Sequence, residues 1–500
     1  MTEHLIQIED AQNNLLDCAA FVAEKIDNRS GYGAAMNKIV PRYLEKNAVD
    51  LAAQLADAVE DPFDRDRLLS AVAGKCAATG DEEYAFQLVE SIEDKGLRGA
   101  ALEVIAVEKA EAGDFERAHE IAASLEHSSH ALGIVAYRLT VAGRAGEAAQ
   151  ALERIEFPAS KVNALQLIAE HYEKNNQPEK AVETLEKANA AAMEIDFPEE
   201  KIGVLQSVAD SFARVGRADK SIELFERARQ AAEQIKGVYR DAALAEIAQG
   251  FMRAGSVELA DRTLDAVTDL TQTARCLYGF SQTFREKGER KDALDALGES
   301  YAFLKSQTEA KIRDRRAYFN LLSAVAAQFA EFDKPERALE IAHEILNRSG
   351  DVSAFSQIAQ IFARQPNKNE LMRQAIDAVF DDGQKLLALV NASDEKNRQV
   401  KRAEAVELLR EAATLTDGVQ NIAERSGVFN ELAKRFAAYG ERERAREILR
   451  ENLDLITHFG DATIRSVALA DLSEVFETAN FELNEAEKSI LQTIIRRAAW

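Results

Sequence analysis

Cysteine, proline and tryptophan are scarce in this chain of 500 residues: three, seven and one, respectively. The cysteines, Cys18, Cys76 and Cys276, are far apart and odd in number, so they offer no disulfide framework. Each falls among helical apolar residues and reads as a small buried thiol. Few prolines leave helices uninterrupted, and 46% hydrophobic with 30% charged residues is a folded composition rather than a disordered or collagen-like one. No uninterrupted apolar run reaches membrane-spanning length. Met1-Thr2-Glu3-His4 leads into acidic residues and not into the apolar core of a secretory signal. The expectation is a soluble, cytoplasmic protein without a membrane partner.

Enzyme signatures are also missing. There is no Gly-x-Ser-x-Gly elbow, no Walker phosphate loop and no dinucleotide Gly-rich turn. An all-α toroid with an acidic pocket would need loops carrying aromatics at one rim, yet Trp500 is the single Trp and aromatics make up 7%. Of seven histidines, His127 and His130 are the closest pair, and no cysteine pair supports them as metal ligands. No catalysis, cofactor or metal is expected. Positive charge is in deficit as well: the net charge is −24. Such a surface repels phosphates at long range. The basic runs Arg313, Arg315, Arg316 and Lys396, Arg398, Lys401, Arg402 are short and mixed with acids, so no nucleic-acid partner is expected.

What the chain does have is a repeat. Turn residues recur at Asn47, Gly80, Gly113, Gly143, Asn176, Gly216, Gly255, Gly288, Asp333 and Gly440. Seven positions before most of them stands a small residue: Ala73, Ala106, Ala136, Ala169, Ala209, Ala248, Ser281, Ala326, Ala433. Five positions after stands another: Ala52, Ala85, Ala118, Ala148, Ala181, Ser221, Ala260, Ala293, Ala338, Ala445. Small residues let two antiparallel helices cross closely. Gly or Asn supplies the left-handed backbone that ends the first helix. Spacings run from 30 to 45 residues, and Phe157-Pro158 and Phe197-Pro198 mark breaks between units. The spacing predicts an N-terminal capping helix and turn over 1–34 that covers the first repeat. Repeats follow over 35–365, an irregular stretch or bend over 366–404, and repeats with a capping helix over 405–500. Within the irregular stretch, 391–398 reads as loop, and turns are expected near Pro366, Val400 and Asn480.

The anchors Leu165, Ile168, Ala169, Tyr172, Ala181 and Leu185 return as Leu205, Val208, Ala209, Phe212, Ser221 and Phe225. This frame resembles the tetratricopeptide repeat, over roughly residues 35 to 485 in about 13 units. Leu replaces the opening aromatic and the closing Pro is generally absent. The resemblance implies an all-α, right-handed α-α superhelix, a solenoid whose first helices line a concave groove, and a non-enzymatic scaffold that binds a peptide or partner protein.

On that frame the inward positions are Gln166, Gln206, Arg214, Gln249, Arg253, Arg275, Tyr278, Gln282 and Arg285. Glutamines suit a peptide backbone, and arginines suit its acidic side chains or a free C-terminus. The opposing reading is a solvated face whose charges pair with neighbouring Glu and Asp. Alternatives to the scaffold are a ligand-responsive sensor hinged at 366–400 and a self-assembling structural protein. The partner, the oligomeric state and the closure of the superhelix are not encoded in any local motif.

Overall fold

The computed structural model describes residues 5–125, 128–308, 310 and 312–499. Among them the chain forms twenty-eight α-helices and no β-strand. Every turn residue named above has positive φ, from 54° at Asn176 to 90° at Gly80. Asn367, Val400 and Asn480 do so as well, which gives thirteen left-handed turns, each ending a first helix. The turn closes by a fixed bond. The N–H after the turn residue donates to the carbonyl four positions before it, as from Gln177 to Tyr172, Arg217 to Phe212 and Lys334 to Phe329. That bond satisfies a carbonyl the helix end would otherwise orphan. The small residues on either side are all buried, none more than 3% exposed. Pro62, Pro158, Pro178, Pro198 and Pro335 each open a helix, where the missing N–H costs nothing.

The chain divides into two compact units: unit 1 is Met1–Ala101 with Gly350–Trp500, and unit 2 is Leu102–Ser349. Unit 2 is a run of hairpins such as Pro158–Lys174 with Pro178–Met193, and Pro198–Arg214 with Ala218–Ala232. Pro178–Met193 also packs on Pro198–Arg214, and Ala218–Ala232 on Val238–Arg253, and one apolar core runs from Val162 to Ala296. Gly250 shows how tightly it is filled. A Cβ there would lie 2.2 Å from the buried Phe225 ring. Gly250→Ala is therefore expected to destabilise unit 2 by about 1–3 kcal/mol. Gly298→Ala, on a helix where a Cβ meets nothing, should stabilise it by about 1 kcal/mol. Urea unfolding of the two variants checks the opposite signs.

Unit 1 departs from the expected cap. Residues 8–23 form two helices, Ile8–Ala11 and Leu15–Ala23, because Asn14 caps the second by accepting from Leu16 and Asp17 N–H. Leu15–Ala23 packs along Ala462–Thr478 as a second helix packs along its first. Arg29–Glu45 then lies beside Ala462–Thr478 as successive first helices do. The last repeats thus run on into the N-terminal ones, with Leu15–Ala23 filling the second-helix place beside Ala462–Thr478. Ion pairs of Lys38 with Asp471, and of Arg42 and Lys46 with Glu477, join the two first helices across this seam.

The stretch 391–398 is helical and not loop, being part of Asp382–Arg398. Its polar letters are internal: Ser393, Glu395 and Lys396 are at most 4% exposed. Lys396 occupies the place where other repeats carry the core aromatic. Its ammonium donates to Asn369 Oδ1 at 2.6 Å and faces Glu404 at 3.5 Å, while burial lowers its pKa. The turn before this helix pair falls on Asn367, one residue past Pro366. At the next turn Val400 has φ 63° and is 89% exposed, a β-branched side chain in the left-handed region. Val400→Asn, the residue that four other turns use, should stabilise unit 1 by about 1 kcal/mol, read as a higher urea midpoint at unchanged slope.

Candidate functional site

First helices Pro158–Lys174, Pro198–Arg214, Val238–Arg253 and Leu270–Glu286 carry all nine inward positions, and all lie in unit 2. Gln166, Gln206 and Arg214 come together in a groove of about 640 Å³ between the first two of these helices. Gln166 Nε2 donates to Ser207 Oγ and Ser211 Oγ, both at 2.9 Å. Arg214 Nη2 donates to Ser211 Oγ at 3.1 Å, so the guanidinium folds back along its helix. It is not needed at the helix end, where Gly216 and Arg217 N–H already take the carbonyls of Ala213 and Phe212. Gln206 Nε2 is buried without a hydrogen-bond partner.

The groove's acids are already spoken for. Glu170 pairs with Lys174 at 2.9 Å, and this bond, with the Lys174 charge, holds its carboxyl below the usual range. Asp210 is held by Arg253 Nη2 at 2.9 and 3.0 Å. With both pairs neutral, Arg214 is left as the groove's uncompensated charge, locally positive in a chain of net charge −24.

The remaining positions do not join this groove as one ladder. Arg285 pairs with Glu331 on the next first helix, Arg315–Glu331. Gln282 Nε2 donates to the Tyr278 hydroxyl at 3.1 Å, and burial raises that phenol's pKa. Gln249 lies against Gly279, where a Cβ would come within 2.4 Å of its amide. Arg275 is half-buried and has no ion-pair partner among the described residues. Ser207 and Ser211, which form the groove floor, were not among the sequence candidates. Their signal was two serines four apart on one helix face, each one position on from Gln206 and Asp210. Of the histidine pair, His127 lies outside the described residues, and His130 Nδ1 contacts Glu103 at 2.5 Å.

Hairpins closed by a left-handed turn, crossing at small residues and packed in series, decide the architecture. The repeats are tetratricopeptide-like. No family model and no curated protein matches the sequence. Solved structures do. One is the nearly identical TPR-like repeats of a kinesin light chain from Podosopora anserina, 18% identical, covering 43% of this chain and all of that one at a TM-score of 0.26. Another is Naa15/Naa10 bound to HypK-THB, 14% identical over 93% of this chain and 85% of that one, at 0.31. A third is the pentatricopeptide repeat protein PPR10 from maize, 16% identical over 85% and 61%, at 0.36. No helix of the tetratricopeptide-like array, among the described residues, is long and apolar enough to cross a membrane. Its three cysteines are free and buried, and burial raises the thiol pKa, to about 11 at Cys76.

Proposed function

We propose that the chain is a non-enzymatic scaffold that binds a peptide or a segment of a partner protein along the first-helix face of unit 2. The groove around Arg214 is the observation that carries this reading. Its floor offers amide and hydroxyl groups, and Gln206 Nε2 lacks a partner that a ligand carbonyl would supply. Arg214 is the anchor for an acidic group of the ligand. Arg253 and Arg285, engaged by Asp210 and Glu331, set the spacing of neighbouring helices and touch the ligand less.

The test is recovery of partners from the host lysate on immobilised full-length chain, compared with Arg214→Glu and Gln206→Ala. Both substitutions alter exposed or half-buried groups that hold no carboxylate, so circular dichroism should be unchanged. A protein retained by the wild type and lost by Arg214→Glu is expected. Equal recovery by all three baits, or recovery of nucleic acid alone, would sink the reading.

A further inference from the structure

Large aromatic side chains are exposed at one end of three successive first helices in unit 2. Phe157 precedes Pro158–Lys174, Phe197 precedes Pro198–Arg214, and Tyr239 lies in the first turn of Val238–Arg253; they are 53%, 72% and 73% exposed. Their register matches that of the helices. Gln166 meets Ser207 at an offset of 41 residues and Arg253 meets Asp210 at 43, while the aromatic offsets are 40 and 42. The three residues therefore stand at matching ends of neighbouring helices, whose axes lie about 8–10 Å apart. Helix stability does not explain the two phenylalanines. Phe157 and Phe197 occupy N-cap positions and make no side-chain cap bond. Asp269 and Asp314 cap later first helices of unit 2 by accepting backbone N–H bonds. Around Phe197 the charge is one-sided. Glu194, Asp196, Glu199 and Glu200 are exposed, and none has an ion-pair partner among the described residues. Lys201, beside them, donates instead to the carbonyl of Met193 at 2.9 Å, and the Met193 side chain is exposed.

We propose that this edge is a second interaction surface, which takes a basic, amphipathic segment of a partner protein. The apolar side of such a segment covers Phe157, Met193 and Phe197. Its lysines or arginines pair with the four unpaired carboxylates and lie over the exposed rings. Exposed aromatics in a row are the kind of anchor that protein interfaces use. The same acids set the edge against other occupants. They repel nucleic-acid phosphates and anionic lipid, and a second copy would bring like charges to meet them. The edge lies at the start of the first helices, whereas Arg214 ends one, so this surface is distinct from the Arg214 groove.

The test is fluorescence anisotropy of a labelled amphipathic helix of Lys and Leu, about 18 residues long, added to the full chain in about 0.15 M salt. A Lys–Ser peptide of equal charge measures what the net charge of −24 attracts unaided. The wild type is expected to prefer the Lys–Leu peptide by about tenfold or more. Phe157→Ser with Phe197→Ser is expected to erase that preference, and it places capping residues at both helix starts, so the fold is kept. Asp196→Asn with Glu200→Gln, at exposed positions, should also weaken Lys–Leu binding. A wild type without the preference, or unchanged Lys–Leu binding in either variant, overturns the proposal. So does a preference lost in Arg214→Glu and kept in the phenylalanine pair, which would assign the peptide to the groove. Sedimentation showing a wild-type dimer that the phenylalanine pair dissolves would assign the edge to a second copy and likewise overturn it.

Discussion

Phe21→Ala is expected to cost unit 1 about 3–5 kcal/mol, the full price of a large core truncation, although the residue lies near the start of the chain. Phe21 is 1% exposed, and its helix fills the second-helix place beside Ala462–Thr478. A helix that merely covers a repeat end would lose far less, since its truncation frays only itself. Native-state hydrogen exchange separates the two cases. The expected result is faster exchange in Arg29–Glu45 and Ala462–Thr478 together with the N-terminal helix. Faster exchange limited to residues 8–23 would show that the seam does not couple the chain's two segments.

Asp241→Ala is the second large effect, about 3 kcal/mol lost from unit 2. The buried Asp241 carboxylate accepts from Thr268 N–H, Thr268 Oγ and Asp269 N–H at 2.6 to 3.0 Å, and Arg240 closes its other oxygen at 3.1 Å. Its removal leaves three part-buried donors without their acceptor, at up to about 1–3 kcal/mol each. Asp66 does the same work in unit 1 at the same offset, accepting from Glu93 and Asp94 N–H with Arg65 beside it. Burial pushes the Asp241 pKa up, but its hydrogen bonds from residues 268 and 269 and the Arg240 charge outweigh that, and the folded value lies below the ordinary one. A depressed carboxyl stabilises the fold above its unfolded pKa, about 4, and that contribution is lost as pH falls through the folded value. Urea midpoints of the wild type should therefore fall below about pH 4 more steeply than those of Asp241→Asn, and parallel curves would count against the clasp.

The repeat was legible because its determinants are local. A left-handed turn and two small residues sit within twelve positions of one another, and the chemistry that demands them is visible in the letters. Asn391–Arg398 was misread because its polar letters suggest solvent, whereas Lys396 and Glu395 are buried against Asn369 and Gln360 from the preceding hairpin. The seam was invisible for a different reason: Ser466 and Ala19 are 447 residues apart, and no periodicity links them. Of the groove, the sequence frame placed Gln166, Gln206 and Arg214 on one face. It could not show that Asp210 had already taken Arg253 and that Glu331 had taken Arg285, because those partners come from neighbouring helices. The same applies to Arg290 and Arg442. They reach the carbonyl of Phe332, and those of Ala479 and Asn480, at the ends of the following first helices.

The seam also sets a timetable for the growing chain. Leu15–Ala23 is made well before the helix it packs along, and eight of its nine residues are buried in the folded protein. Its seat is not made until Ala462–Thr478 emerges, 447 residues after Ala19 at the point where Ser466 meets it. At roughly 5–20 residues per second that is a wait of about 20 to 90 s. Throughout it, the nascent chain carries an apolar helix with only Ile8–Ala11 and Arg29–Glu45 to pack on, its longest contact still unmade.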